Sequence, residues 1–315
     1  THLASSAASD VYKRQLFAFI VLPSCDDETM ETPQSIVEIA LGDDQFSILV
    51  DALTKADLVT TLSGDGPFTV FAPTNAAFTA LLSDLGVSSL DDVDAATLKN
   101  ILLHHVVSGK VLSTDLSSGY VATLSPGPES TTVDVKVDVN GSVMLNGSSR
   151  VTTADVEATN GVIHIINKVI LPPSVVDIAL QNDNFSILVA ALTRNDHSTD
   201  FVSILSGDGP FTVFAPTNAA FVALLESNDD WTTLDDIPVA TLDAVLKYHV
   251  VNMANVESTE LTDEQNVTTL GGTFTIDLSN GAQVKTGSGQ TVDIVLTDVQ
   301  GKNGVVHVVD EVLLP

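Results

Sequence analysis

The sequence predicts an α+β protein built from two copies of one domain. Three observations lead there. The seventeen residues Leu62 to Phe78 (LSGDGPFTVFAPTNAAF) recur without change from Leu205 to Phe221. Each copy opens with apolar residues at helical spacing. Each closes with apolar residues that alternate at strand spacing. Helices followed by strands, not interleaved with them, make an α+β domain.

The elements follow in order. Phe46, Leu49, Val50 and Leu53 form the stripe of one helical face, and Phe185, Leu188, Val189 and Leu192 repeat it. Gly64-Asp65-Gly66-Pro67 is a turn. Phe68-Thr69-Val70-Phe71-Ala72 reads as a buried strand. Pro73-Thr74-Asn75 ends that strand and offers capping side chains, so Asn75 and Asn218 are expected as helix-entry caps. Phe78, Leu81, Leu82 and Leu85 face the next helix inward. Another helix starts after Asp94 and carries Leu98, Ile101, Leu102 and His105. Val133, Val135, Val137 and Val139 alternate up to an Asn140-Gly141 hairpin turn, and Val143 and Leu145 return. Val162-Ile163-His164-Ile165-Ile166 is apolar on both faces and should be a central strand.

The repeat spacing is consistent along the chain. Ser35 and Ser174, Phe46 and Phe185, His105 and His249, and His164 and His307 are further pairs. Extra residues in the second copy, Asn195 to Phe201, lengthen its spacing, and His197 among them is expected on the surface. A period this long means domain duplication, not a solenoid. Domain 1 is placed at 35–173 and domain 2 at 174–315. Pro172-Pro173 leaves almost no linker, so the domains should be held at a fairly fixed angle.

These landmarks resemble the fasciclin domain. Its first box looks like Thr69 to Phe78 and again Thr212 to Phe221, with Thr69, Pro73, Asn75, Thr212, Pro216 and Asn218 as motif residues. Its Tyr-His element is similar to Tyr248-His249, where domain 1 has His104-His105. Its last box looks like Asn160 to His164, ending at Leu171-Pro172, and Asn303 to His307, ending at Leu314-Pro315. The resemblance implies a β-wedge or sandwich flanked by helices, and roles in adhesion, matrix assembly and surface binding. In animal members an Asp-Ile pair and the Tyr-His region are linked to integrin binding. Here the positions are Asp155-Val156, Asp298-Val299 and Tyr248-His249, the candidate interaction residues.

Composition narrows function further. The 315 residues carry a net charge of −29, which repels phosphate backbones and anionic headgroups. Nucleic-acid binding is disfavoured, as is membrane attachment through basic patches. No segment has the Asp-x-Asp-x-Asp-Gly form of a calcium loop. One cysteine, Cys25, excludes an intrachain disulfide and paired-cysteine zinc sites. There is no Gly-x-Ser-x-Gly elbow and no phosphate loop. His105, His164, His249 and His307 are expected as core histidines bonded to backbone. No catalytic residue, metal ligand or cofactor is expected.

The N-terminal stretch is read separately. Residues 1–15 resemble the translation of a sequencing adapter and are set aside as an assembly scar. Leu16 to Leu22 is an apolar run, too short to span a bilayer, that matches a signal-peptide core. With Ser24 before Cys25 and acidic residues after it, 16–25 resembles a truncated lipoprotein signal with Cys25 as the acylated residue. Residues 26–34 would be a polar tether.

The expected function is non-enzymatic adhesion or matrix binding at the outer membrane or cell surface. The lipid would be the only membrane attachment. Polysaccharide, a surface protein or a second copy would be the partner. A carrier of a small apolar ligand and an unrecognised hydrolase are the alternatives, and a periplasmic or secreted location is the alternative placement.

Overall fold

The computed structural model describes residues 33–315. Residues 1–32 lie outside the described residues, and with them the stretches read above as scar and signal segment, Cys25, and most of the expected tether.

Domain 1 begins with helices α1 (Ile36–Gly42), α2 (Ser47–Lys55) and α3 (Val59–Leu62). Strand β1 (Phe68–Pro73) follows, then α4 (Asn75–Asp84) and α5 (Ala95–His104). The remainder is strand: β2 (Val106–Ser108), β3 (Gly119–Pro126), β4 (Thr132–Val139), β5 (Val143–Leu145), β6 (Ser149–Ala158) and β7 (Gly161–Ile166). Domain 2 repeats the order with α6 (Val175–Leu180), α7 (Ser186–Leu192), α8 (Phe201–Leu205), β8 (Phe211–Pro216), α9 (Asn218–Glu226) and α10 (Val239–Tyr248). Its last strands are β9 (Val250–Asn252), β10 (Asn266–Thr269), β11 (Gly272–Asp277), β12 (Gln283–Lys285), β13 (Thr291–Gly301) and β14 (Gly304–Val309).

Both domains start on the same device. Ser35 Oγ accepts the Glu38 N–H at 3.3 Å while the Glu38 carboxylate accepts the Ser35 N–H at 2.7 Å. Ser174 and Asp177 do the same at α6. Each reciprocal cap satisfies donors that the first helical turn leaves free.

Each sheet has seven strands. The order is β2-β1-β7-β6-β5-β4-β3 in domain 1 and β10-β11-β12-β13-β14-β8-β9 in domain 2. The last strand of each domain is interior, as its two apolar faces require. β7 pairs parallel with β1 and antiparallel with β6. The sheet curls until its edges β2 and β3 come together, which makes the wedge. Gly161 allows the tightest approach: a Cβ there would lie 2.0 Å from the Phe68 carbonyl oxygen.

The curl divides each core in two. Phe46, Phe78, Leu98 and Leu102 fill the layer between helices and sheet in domain 1. Phe71, Val135, Val137, Leu145 and Ile166 fill the inside of the wedge. Phe78 is fully buried, and burying a side chain of that size contributes about 2–3 kcal/mol. Domain 2 repeats both layers, with Phe221 in the first and Phe214, Phe274 and Tyr248 in the second.

The two domains meet along a seam with few polar pins. Tyr120 of β3 packs against the domain 2 core, and its hydroxyl accepts from Asn182 Nδ2 at 3.2 Å. The Lys302 N–H donates to the Pro173 carbonyl at 2.7 Å. The Gln300 N–H donates to Asp134 Oδ2 at 2.9 Å.

Candidate functional site

The motif residues assemble into a repeated framework of polar side chains, built from one element at a time. Thr69 on β1 is buried; its Oγ1 donates to the Gly109 carbonyl at 2.7 Å and accepts the Val111 N–H at 2.9 Å. Thr212 does the same with Ala254 and Val256, both at 2.9 Å. One hydroxyl thereby fixes the chain leaving β2, and another the chain leaving β9. Pro73 and Pro216 close β1 and β8 in register with Ile166 and Val309.

Asn75 is not the cap of its own helix. Thr74 is the N-cap residue of α4, and Asn75 is the first helical residue. Its Oδ1 accepts the Ile48 N–H at 2.9 Å, and its Nδ2 donates to the Asp44 carbonyl and to Ser47 Oγ, both at 2.9 Å. The amide therefore caps the start of α2, an earlier helix. Asn218 makes the matching bonds to Ile187, Asp183 and Ser186. Helix entry was legible in the sequence, but the identity of the helix being capped was not.

The core histidines are all spoken for. His105 Nδ1–H donates to the Ile101 carbonyl at 2.7 Å, and Nε2 accepts the Ile170 N–H at 3.0 Å. His249 repeats this with Val245 at 2.7 Å and Leu313 at 3.0 Å. These bonds require the neutral ring. Burial holds both histidines down at about 4, partly offset by the bonded carbonyl. His164 and His307 each donate from Nε2 to a carbonyl, Val111 or Val256, at 2.9 Å. Each accepts from the backbone N–H of Asp155 or Asp298 at 3.3 Å. Burial lowers His307 below the ordinary histidine value.

The pair of positions 248 and 104 differs between domains. Tyr248 is buried, and its hydroxyl donates to the Thr273 carbonyl at 2.7 Å. His104 occupies the same place with a ring that donates to Thr123 Oγ1 and accepts from Asn146 Nδ2, both at 3.3 Å. Burial pushes His104 down to about 3.

Asp155 and Asp298 sit in irregular stretches of β6 and β13, each at a φ of 61°. Aspartate tolerates this left-handed region better than most residues. The kink aims the Asp155 carboxylate at Ser113, whose N–H donates at 2.7 Å and whose hydroxyl donates at 2.5 Å. These hydroxyl and amide bonds hold Asp155 below the usual carboxylate range. Asp298 binds the Ser258 amide at 2.6 Å and the Ser258 hydroxyl as well. Val156 is half-buried against the core and Val299 is buried. The structure thus gathers the aspartate, the last-box histidine and the loop after β2 or β9 into one clasp per domain. His249 and Tyr248 lie inside the core, away from solvent.

One polar cluster escaped the sequence. His197, expected on the surface, has a side chain only 3% exposed. Its Nδ1 meets Asp243 Oδ1 at 2.6 Å and its Nε2 meets the Ala191 carbonyl at 2.6 Å. Ser198 Oγ donates to the other carboxylate oxygen at 2.5 Å. Burial raises Asp243, but the bonds from Ser198, His197 and Thr199 outweigh it and leave the carboxyl below its ordinary value. The serine is bonded to the aspartate and not to the histidine, so His197 is not placed as the base of Ser198. Among the described residues no group of three or more His, Cys, Asp or Glu could hold a metal.

The fasciclin-domain model matches residues 44–172 and again 183–315. The chain belongs to the fasciclin-domain family. Protein sll1483 of Synechocystis sp. is 48% identical over 143 residues, covering 45% of this chain and 76% of that protein. Transforming growth factor-beta-induced protein ig-h3 of Sus scrofa is 30% identical over 266 residues, covering 81% of this chain. Human periostin is 30% identical over 259 residues with the same coverage of this chain. The fasciclin pair described here spans only 35% of ig-h3 and 29% of periostin. A solved FAS1 domain pair from the insect cell adhesion molecule fasciclin I aligns over 89% of this chain and 96% of its own. Its TM-score is 0.49 and its identity 17%.

The fasciclin cores leave little internal space. The enclosed apolar cavities between helices and sheet measure about 20 Å³ in each domain. Larger recesses are open to solvent. One of about 530 Å³ lies between the domains, with Ile101, Leu171, Asp208 and Lys302 on its walls. One of about 610 Å³ lies beside α9 and α10, with Trp231, Ala240 and Leu314 on its walls.

Proposed function

We propose that this fasciclin pair is a non-enzymatic adhesion or matrix-binding module that works through its outer surface. One observation carries the reading. The chemistry-bearing motif side chains, from Thr69 to His307, are committed to hydrogen bonds that hold the fold. That leaves the exposed faces and the open recesses for a partner. Polysaccharide, a surface protein or a second copy is the partner class. The cell surface is the location, with the acyl group on Cys25 as anchor.

The carrier alternative draws no support from the cores, because a cavity of about 20 Å³ has room for no more than a water molecule. The purified chain tests the adhesion reading: it should retain cells on a coated surface or pull down isolated exopolysaccharide. Absence of binding across a broad panel of polysaccharides, surface proteins and the chain itself would sink it. Cys25→Ala tests the anchor separately. Expressed with an intact signal peptide, the wild type should be acylated and accessible to added protease, and the variant released.

A further inference from the structure

The seam between the domains half-buries a carboxyl group with no cation to meet it. Asp134 lies on β4, between Val133 and Val135, which are fully buried inside the wedge. Alternation along the strand turns Asp134 to the outer face, and β13 of domain 2 covers it there. The Gln300 N–H donates to Asp134 Oδ2 at 2.9 Å. Gln300 is itself fixed, because its side-chain amide donates to Asn255 Oδ1, the Gly301 carbonyl and the Gly304 carbonyl, each at 2.9 Å.

The groups around Asp134 are acidic, already engaged or, in the case of Lys99, exposed to solvent. Asp298 of β13 and Glu257, just before the turn at Ser258–Glu260, both raise the cost of its charge. On β3 its register partner is Ala122, and nearby Tyr120 is bonded to Asn182. On β4 itself Lys136 is paired with Asp138 at 2.6 Å. β5 contributes only Val143, Met144 and Leu145. α5 brings Lys99 and His104, but His104 bonds Thr123 and Asn146 beneath the sheet, on the inner side. Among the described residues Asp134 forms no ion pair.

We propose that the joint is a lock strengthened by acid, in which proton uptake by Asp134 tightens the docking of domain 2 on domain 1. The protonated carboxyl keeps a carbonyl oxygen for the Gln300 N–H and no longer opposes Asp298 and Glu257. Burial raises Asp134, the Gln300 N–H bond offsets part of that, and the two acids add to it, so the carboxyl is pushed up to about 6 in the docked state. The sign follows from that direction. A carboxyl with a higher pKa docked than undocked weakens docking whenever it is ionised. Docking is therefore weakest at neutral pH and above, and strengthens as pH falls through about 6. The gain is complete below the ordinary aspartate value near 4. Two pKa units correspond to roughly a 100-fold change in the docking equilibrium.

The test uses the whole chain. Carbon NMR follows the Asp134 carboxyl through a titration, and amide exchange of Gln300, corrected for the intrinsic rate, is measured from pH 7 to pH 4.5. The Asp134 midpoint should fall near 6, and Gln300 protection should rise roughly 25-fold between pH 7 and pH 4.5 in the wild type. In Asp134→Asn, protection should be high at pH 7 and flat with pH. An Asp134 midpoint in the ordinary carboxylate range overturns the proposal, as does an unchanged pH dependence in Asp134→Asn. The wild-type titration decides alone if the variant does not fold.

Discussion

Asn160 Oδ1 accepts the backbone N–H of Ile36 at 3.0 Å across 124 residues of sequence. The same amide donates from Nδ2 to the Leu62 and Gly64 carbonyls, both at 2.8 Å. One buried side chain therefore ties the final hairpin of domain 1 to its first helix and to the turn before β1. Asn303 ties Val175, Leu205 and Gly207 together in domain 2.

Asn160→Ala should strand one donor and two acceptors and destabilise domain 1 by about 3 kcal/mol or more. Asn303→Ala should do the same to domain 2. Trp231, the chain's single tryptophan, lies in domain 2. Its fluorescence in a urea titration should shift fully with Asn303→Ala and much less with Asn160→Ala. Equal shifts would mean that the domains unfold as one unit.

The buried histidines predict loss of stability in acid. His105 and His249 are held at about 4 when folded, below the ordinary histidine value of 6.5. The unfolded chain therefore takes protons first, and stability falls as pH drops from about 6.5 to about 4. The loss reaches about 3 kcal/mol per histidine. Above pH 7 these two residues should make no contribution to the slope. His249→Gln should lower domain 2 stability at pH 7 while flattening its acid slope, read from Trp231 at each pH. A slope that survives the substitution would contradict this. The Asp134 lock runs in the opposite sense, so Asp134→Asn in the same measurement separates the two.

The His197 cluster predicts an effect confined to domain 2. His197→Ala leaves the buried Asp243 carboxylate without its imidazole partner, and should cost about 2–4 kcal/mol. Trp231 fluorescence should report it. Domain 1, followed by amide exchange on β4, should be unchanged.

The Asp155 clasp predicts that loss of this aspartate acts through the fold. Asp155→Ala removes both bonds to Ser113 and leaves the left-handed backbone to a residue that tolerates it poorly. Domain 1 should lose about 1–3 kcal/mol, and amide exchange should rise at Ser113 and Val111. A variant with full stability and altered partner binding would show instead that Asp155 is a contact residue.

Much of the fold was legible because its signals are local. The valines at 133, 135 and 137 turn inward at strand period, and Phe46, Leu49 and Leu53 at helical period, as observed. The parallel pairing of β1 with β7 was not legible, since those strands lie far apart in the chain. The core histidines were anticipated, because a ring flanked by aliphatic residues needs only backbone partners. The burial of His197 was not, because Asp243 lies 46 residues away and carries no local mark of that contact.

The sequence by itself determined the duplication, the order of helices before strands, the fasciclin boxes and the acidic surface. Those properties reside in repeated words, in periods of 2 and 3.6, and in composition. Only the tertiary structure decided that Asn75 caps α2 and not α4, that Asp155 clasps Ser113, and that Asp134 is half-buried against domain 2. A short polar side chain bonds whatever the folded backbone brings within 3 Å, and that neighbour is chosen by the packing of distant apolar residues.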